Sequence, residues 1–351
     1  MSKKAVIFLV GWVLAVSLLH QWLNLGAFDG QDALKSLADH AAHGARIRVG
    51  FIPVTCHLTC PVTHFINENT HGDTVFQPVR FNAFPELKEA FLSGHLEATF
   101  ILAPLAMSLR EQGVPIKIVY LGHRDGTTMM VHKDSDIRRI EDLRGKTIAI
   151  PNRFSNQRLI IFRAFKERGM NIKDVHLVEM PPPDMPAALN VRAVDAVIAG
   201  EPLMAQTEMD GYGRVLFMTK DVWPEFISCV LAVNENVIRE RRGEIQRLVD
   251  GIARSGKWLD QDMDHRMQAA EFTAKQYYHQ DPRLLRYVLS KPPDRVKYTN
   301  LSVRRADFEE IEALGREADI LQGTAHFGDY ADPSFVPDDA SIPPYTFEAR
   351  K

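Results

Sequence analysis

Between Arg46 and about residue 230, short runs of β-branched and aromatic residues alternate with segments whose apolar positions recur every three or four residues. The first β-rich run is residues 47–54, and from Pro61 onward Val62, Phe65 and Ile66 recur at helical spacing, which predicts strand, loop, helix. Residues 74–81 read as a second strand. Pro85 then opens a helix carrying Leu87, Ala90 and Phe91 that ends at Gly94, with proline in the first turn and glycine past the last. A strand over 98–103, a helix over 104–112 and a strand over 116–122 follow. The pattern restarts with strands over 127–132 and 146–150, separated by a connection at 135–143. A helix capped by Ser155 comes next, with Leu159, Phe162 and Phe165 on one face and a stop at Gly169. Residues 176–180, 195–199 and 214–218 are further strands. Alternating strands and helices predict mostly parallel sheets covered on both faces, arranged as two α/β units of roughly 100 residues each.

Residues 230–233 are strand-like, and beyond Asn234 the chain reads as helical, with Ile245, Leu248, Val249, Ile252 and Trp258 spaced for a long amphipathic helix. The economical arrangement returns this helical remainder to the first unit. Lobe 1 is then residues 46–125 and 230–330, and lobe 2 is residues 126–229, joined by two crossings near 122–128 and 226–232. Residues 331–351, with Pro333, Pro337, Pro343 and Pro344, read as an irregular Pro-rich tail.

At the other end, Lys3 and Lys4 precede residues 5–23, which carry no charge. A positive start before an apolar stretch predicts a signal peptide or an uncleaved transmembrane anchor within residues 1–25. The positive-inside rule places the chain beyond that segment outside the cytoplasm, in the periplasm or on the outer face of the inner membrane. Residues 26–45 are small, polar and weakly helical, and read as a tether. Charge excludes one partner class: 42 lysines and arginines against 45 acidic residues leave nothing to neutralise a phosphate backbone, so nucleic acid is not expected. With 351 residues the chain can bury a core without disulfides, and its three cysteines allow one bridge at most.

Several local sequences narrow the picture. Val49-Gly-Phe-Ile-Pro, Phe84-Pro-Glu-Leu with Gly94, and Leu102-Ala-Pro-Leu-Ala-Met followed by Gly113-Val-Pro-Ile-Lys-Ile-Val resemble the periplasmic nitrate, sulfonate, taurine and bicarbonate binding proteins of ABC importers, the NMT1-like group. Asp142-Leu-Arg-Gly-Lys-Thr-Ile-Ala-Ile-Pro and Gly200-Glu-Pro with Trp223-Pro224 resemble them too. The resemblance covers most of residues 46–265 and implies an α/β, two-lobed periplasmic-binding-protein-like fold of type II. Each lobe would be a mixed sheet flanked by helices, hinged by two crossings, with a helical C-terminal part. It implies a solute-binding component that serves an ABC permease and its ATPase, with no catalytic step and no cofactor.

In open α/β sheets a ligand sits beyond the C-terminal ends of the strands, where loops lead into helix starts. Residues 55–60, 103–105, 153–157 and 200–202 are such junctions, and unpaired N–H groups at helix starts converging from two lobes make an anion site. The candidate ligand-binding residues are Thr55, Cys56, His57, Cys60, Ala103, Pro104, Arg153, Ser155, Asn156 and Glu201. Ser155 and Asn156 offer side-chain donors or plain caps, and Arg153 offers a bidentate clamp or a solvated charge at the cleft edge. Glu201 suits an amine, an amidine or a metal, or holds a nearby lysine or arginine, or complements a helix dipole.

Cys56-His-Leu-Thr-Cys60-Pro admits a Cys56–Cys60 disulfide, free thiols lining the pocket, or a metal held by Cys56, His57 and Cys60. A fourth reading is catalytic. Cys60-Pro-Val resembles the nucleophile region of sulfinate desulfinases, which share the two-lobe fold, with His64, His95 or His123 as base. The alternatives to an importer component are therefore a cysteine enzyme and an anchored solute sensor. Cys229, in an apolar strand, reads as core.

Overall fold

A computed structural model describes residues 46–70, 72, 74–335, 337 and 342–348. The expected signal or anchor and the tether lie outside the described residues. Among those described, no helix is long and apolar enough to cross a membrane.

Two five-stranded sheets carry the fold. The first contains β1 (Ile47–Phe51), β2 (Phe76–Arg80), β3 (Ala98–Leu102), β4 (Ile116–Leu121) and β11 (Cys229–Asn234), in the order β2-β1-β3-β11-β4. The second contains β6 (Thr127–His132), β7 (Thr147–Ile150), β8 (His176–Glu179), β9 (Ala196–Gly200) and β10 (Gly213–Met218), in the order β10-β6-β9-β7-β8. Helices α1 (Thr59–Thr70), α2 (Phe84–Leu92) and α3 (Ala103–Glu111) follow strands of the first sheet. Helices α4 (Asn156–Lys166), α5 (Met185–Asn190) and α6 (Leu203–Met209) follow strands of the second. Central strands β3 and β9 are buried at every residue, as expected of strands covered on both faces.

Each sheet is mixed, as the resemblance implied, with four strands running one way and one against them. β11 runs antiparallel to β3 and β4, and β6 antiparallel to β9 and β10. Each is the strand that arrives from the other sheet. Cys229 enters opposite Leu102, at the C-terminal end of β3, and Thr127 enters opposite Gly200, at the C-terminal end of β9. A strand that starts at the C-terminal end of its parallel neighbours must run against them. The outgoing crossing also carries β5 (Arg124–Asp125), which pairs antiparallel with β12 (Val296–Lys297).

The long helix α7 (Glu235–Gln261) buries Ile245, Leu248, Val249, Ile252 and Trp258, the face its spacing predicts. It bends at Arg241 and packs on α1, β4 and β11 of the first sheet. Helices α8 (Met263–Thr273), α9 (Pro282–Ser290) and α10 (Arg305–Glu317) follow. Unlike α7, α9 packs on α6, and α10 packs on both α4 and α3, so the C-terminal part touches the helices of both sheets. Ion pairs Arg163–Glu310 and Lys166–Glu317, each at 2.6 Å, fix α10 to α4. The Pro-rich tail is irregular but packed: Tyr345 donates to Asn67 at 2.8 Å, and Lys257 donates to the Ile342 carbonyl at 2.6 Å.

Candidate functional site between the two sheets

The C-terminal ends of the parallel strands in the two sheets meet face to face. The Thr55 N–H donates to the Glu201 carbonyl at 2.6 Å, and the Ala103 N–H at the start of α3 donates to Asn156 Oδ1 at 3.2 Å. Asn156 Nδ2 reaches the Ile227 carbonyl on the returning crossing at 2.6 Å. One asparagine thus ties the start of α4 to the opposite sheet and to the returning crossing. Its neighbour Ser155 caps α4, its side chain accepting from the Arg158 N–H at 3.2 Å. Gln157 donates to the Thr127 hydroxyl at 3.3 Å.

On the first-sheet side, Thr55, Cys56 and His57 form a buried 3-10 turn after β1. Buried tyrosines hold it: Tyr278 donates to the Val54 carbonyl at 2.7 Å and Tyr298 to the Thr55 carbonyl at 3.0 Å. The Thr55 hydroxyl meets His123 Nε2 at 3.1 Å. Burial holds the His123 imidazole down to about 4, so the ring is neutral near pH 7. His57 Nδ1 accepts from the Ile52 N–H at 2.7 Å, which puts the ring proton on Nε2. That nitrogen, Thr59 Oγ1 and Gln157 Oε1 are buried without a hydrogen-bond partner among the described residues.

Glu201 is fully buried, but its carboxylate faces protein. Oε1 accepts from Thr128 at 2.6 Å and from Arg295 at 3.1 Å, and Oε2 accepts from the Ala205 N–H at 2.9 Å. Burial raises its pKa, against the opposing pull of the Arg295 charge. Of the roles open to it in the sequence, the geometry displays two: it holds a neighbouring arginine, and it accepts an N–H in the first turn of α6. Arg153 lies apart: it is exposed, stacks over Phe154 at 4.8 Å, and lines a lateral cavity of about 660 Å³ with Ser108, Gln112 and Arg158. Pro104 is buried in the first turn of α3 and contributes shape alone.

The cysteines do not pair as their spacing suggests. All three are free and buried, and the sulfur next to Cys56 belongs to Cys229, at 3.0 Å, not to Cys60. Cys60 sits in α1, and burial pushes its thiol well up, which removes the lowered pKa a nucleophile there would need. Of the proposed bases, His64 bonds Tyr277, His95 bonds Ser93 at the surface, and His123 alone joins the cluster around Thr55. A metal cluster of Cys56, His57 and Cys60 is replaced by Cys56, His57 and Cys229, whose ligand atoms lie within 4.8 Å of one another.

Residues 40–274 match the NMT1-like family, two-thirds of the chain. The chain belongs to that family. The nitrate import ATP-binding protein NrtC of Synechocystis is 22% identical over 66% of this chain and 37% of its own length. The taurine-binding periplasmic protein of Escherichia coli is 28% identical over 41% of this chain and 47% of its own. The chain therefore spans less than half the length of these curated relatives. In fold, the periplasmic nitrate-binding protein NrtA from Synechocystis superposes with a TM-score of 0.75 at 13% identity, covering 83% of this chain and 86% of that one.

Two residues of this candidate site, Cys229 and Arg295, carry no local signal in the sequence that marks them as members of it, and a third, Gln157, closes the 153–157 junction without being singled out there. Gln157 follows Ser155 and Asn156 at the same helix start. Cys229 and Arg295 lie 173 and 94 residues from the partners they touch, and no local spacing announces such contacts.

Proposed function

We propose that this NMT1-like protein is the solute-binding component of an ABC importer, capturing a small ligand between its two lobes and presenting it to a permease and its ATPase. The ligand class is that of nitrate, bicarbonate, taurine and alkylsulfonates. One observation carries the reading: Nε2–H of His57 and Thr59 Oγ1 on one side, and Gln157 Oε1 on the other, are buried polar atoms with unused bonding capacity where the strand ends of the two lobes meet. Each such group left unsatisfied costs on the order of 1–3 kcal/mol, which a small polar solute would recover. Helix starts at Ala103 and Asn156 supply further N–H groups suited to an oxyanion. The taurine- and nitrate-related proteins it resembles favour the same class. The lysine-flanked apolar start fits a protein held at the outer face of the inner membrane.

A thermal-shift panel of nitrate, bicarbonate, taurine, an alkylsulfonate and a pyrimidine tests this. At least one compound should raise the melting temperature in a saturable way and be recovered unchanged. If none does, the proposed ligand class is wrong; if an aryl sulfinate added to the panel is converted to sulfite, a binding role is wrong.

A further inference from the structure

Cys56 and Cys229 are two neighbouring thiols that the proposed binding role does not use. Their sulfurs approach to 3.0 Å, and both residues are fully buried. Three chain segments converge to bring them together. Cys56 lies in the turn after β1, Cys229 opens β11 as the chain returns from the second sheet, and Gly122 lies on the outgoing crossing between them. The Gly122 N–H donates to the Cys229 carbonyl at 2.8 Å, and a Cβ on Gly122 would lie 2.2 Å from the Cys56 carbonyl oxygen. Only a residue without a side chain lets these backbones close so far. The pair is electrically uneven. Burial raises both thiols, but in Cys56 the hydrogen bond with Cys229 opposes it and that sulfur is held well below the usual thiol range. Cys229 is held well above.

A metal fits this geometry poorly. Two thiolates on one tetrahedral zinc stand about 3.8 Å apart, given zinc–sulfur bonds of roughly 2.3 Å. His57 has no free lone pair, since Nδ1 is engaged by the Ile52 N–H and Nε2 carries the proton. Two sulfurs alone are an incomplete zinc site.

We propose that Cys56 and Cys229 are a redox pair that closes to a reversible disulfide, joining the ligand-side turn of the first lobe to the hinge strand. With a low-molecular-weight disulfide as oxidant, the Cys56 thiolate attacks one sulfur of that disulfide and releases a thiolate. Cys229 then gives up its proton and displaces the second sulfur from Cys56. The net change is two thiols oxidised to one protein disulfide, while the oxidant is reduced to two thiols that take up the two protons. Access is gated by the lobes. Gly200 of the second sheet lies against Cys56, where an added Cβ would be 4.0 Å from its sulfur, so oxidation requires the cleft to open.

The test treats the full-length protein with graded glutathione disulfide and maps peptides by mass spectrometry without reduction. A Cys56–Cys229 cross-linked peptide, with Cys60 still alkylatable and the bond reversed by dithiothreitol, is the expected result. Cys60→Ser should keep the loss of two hydrogens from the intact mass, and Cys229→Ser should abolish it. A Cys56–Cys60 link, three alkylatable thiols after oxidation in mild urea that opens the cleft, or stoichiometric zinc that blocks oxidation would each overturn the proposal. Peptide mapping of the unmutated chain keeps the test valid if a serine variant fails to fold.

Discussion

Glu201 and Arg295 illustrate how a single buried charge pair limits what either residue can do. Arg295 is 3% exposed and Glu201 fully buried, so each relies on the other for solvation that water no longer provides. Glu201→Gln keeps the shape but presents an amide NH2 to one of two donors, Arg295 or the Ala205 N–H. One buried donor then loses its acceptor. The expected loss of stability is about 3 kcal/mol, softened because Glu208 still stands 3.6 Å from Arg295. Urea denaturation reads it, and an unchanged midpoint would mean the pair is hydrated. His123 makes a second residue-scale prediction. Its folded pKa of about 4 lies below the ordinary 6.5, so between those values the unfolded chain binds a proton that the folded chain refuses. Stability is therefore complete above pH 6.5 and falls as the pH drops through that window, by up to ~3 kcal/mol from this group. His123→Gln, which can keep the Thr55 bond, should flatten the difference between denaturation curves at pH 7 and pH 5. Equal slopes in both proteins would show that other groups set the acid sensitivity.

At the level of elements, helix starts were the most legible feature of the chain. Ser155 was readable as a cap because serine before an apolar-periodic run satisfies an N–H that the helix cannot, and its hydroxyl does accept from Arg158. Ser155→Ala should lower stability by about 1 kcal/mol. If the α4 start also binds an anion, ligand affinity should fall by at least a further tenfold, measured by calorimetry beside the melting curve. Equal small changes would leave Ser155 a cap only. Strand direction was harder to read. Apolar run length places β6 and β11 in sheets, but their orientation depends on which end of the sheet the crossing chain meets, a fact of topology rather than pattern. The helical C-terminal part shows the same limit. Periodicity says that α9 and α10 have a face to bury, and α10 in fact meets helices of both sheets. Arg163 and Lys166, charged positions of α4, become its anchors to Glu310 and Glu317 only once the fold brings them together.

For the molecule as a whole, the contact that matters most is the one Asn156 makes between sheets. Its amide occupies the Ala103 N–H, the first donor of α3, and so stands where an anion at that helix start would have to bind. On the proposed function, closing the lobes and binding a solute would draw on overlapping donors, and an anion at α3 would have to displace the Asn156 oxygen or bond beside it. Asn156→Ala removes both the Ala103 and the Ile227 hydrogen bonds while leaving α4 a good helix former in its first turn. In the closed form two buried backbone groups then lack partners, whereas in an open form water reaches them. The balance should shift toward opening by on the order of 2 kcal/mol, about thirtyfold. Small-angle scattering of the ligand-free variant should give a larger radius of gyration than the parent protein, with saturating ligand restoring part of the difference. A radius equal to the parent's would assign closure instead to the Thr55–Glu201 backbone bond and to the α10 anchors, which the substitution leaves in place.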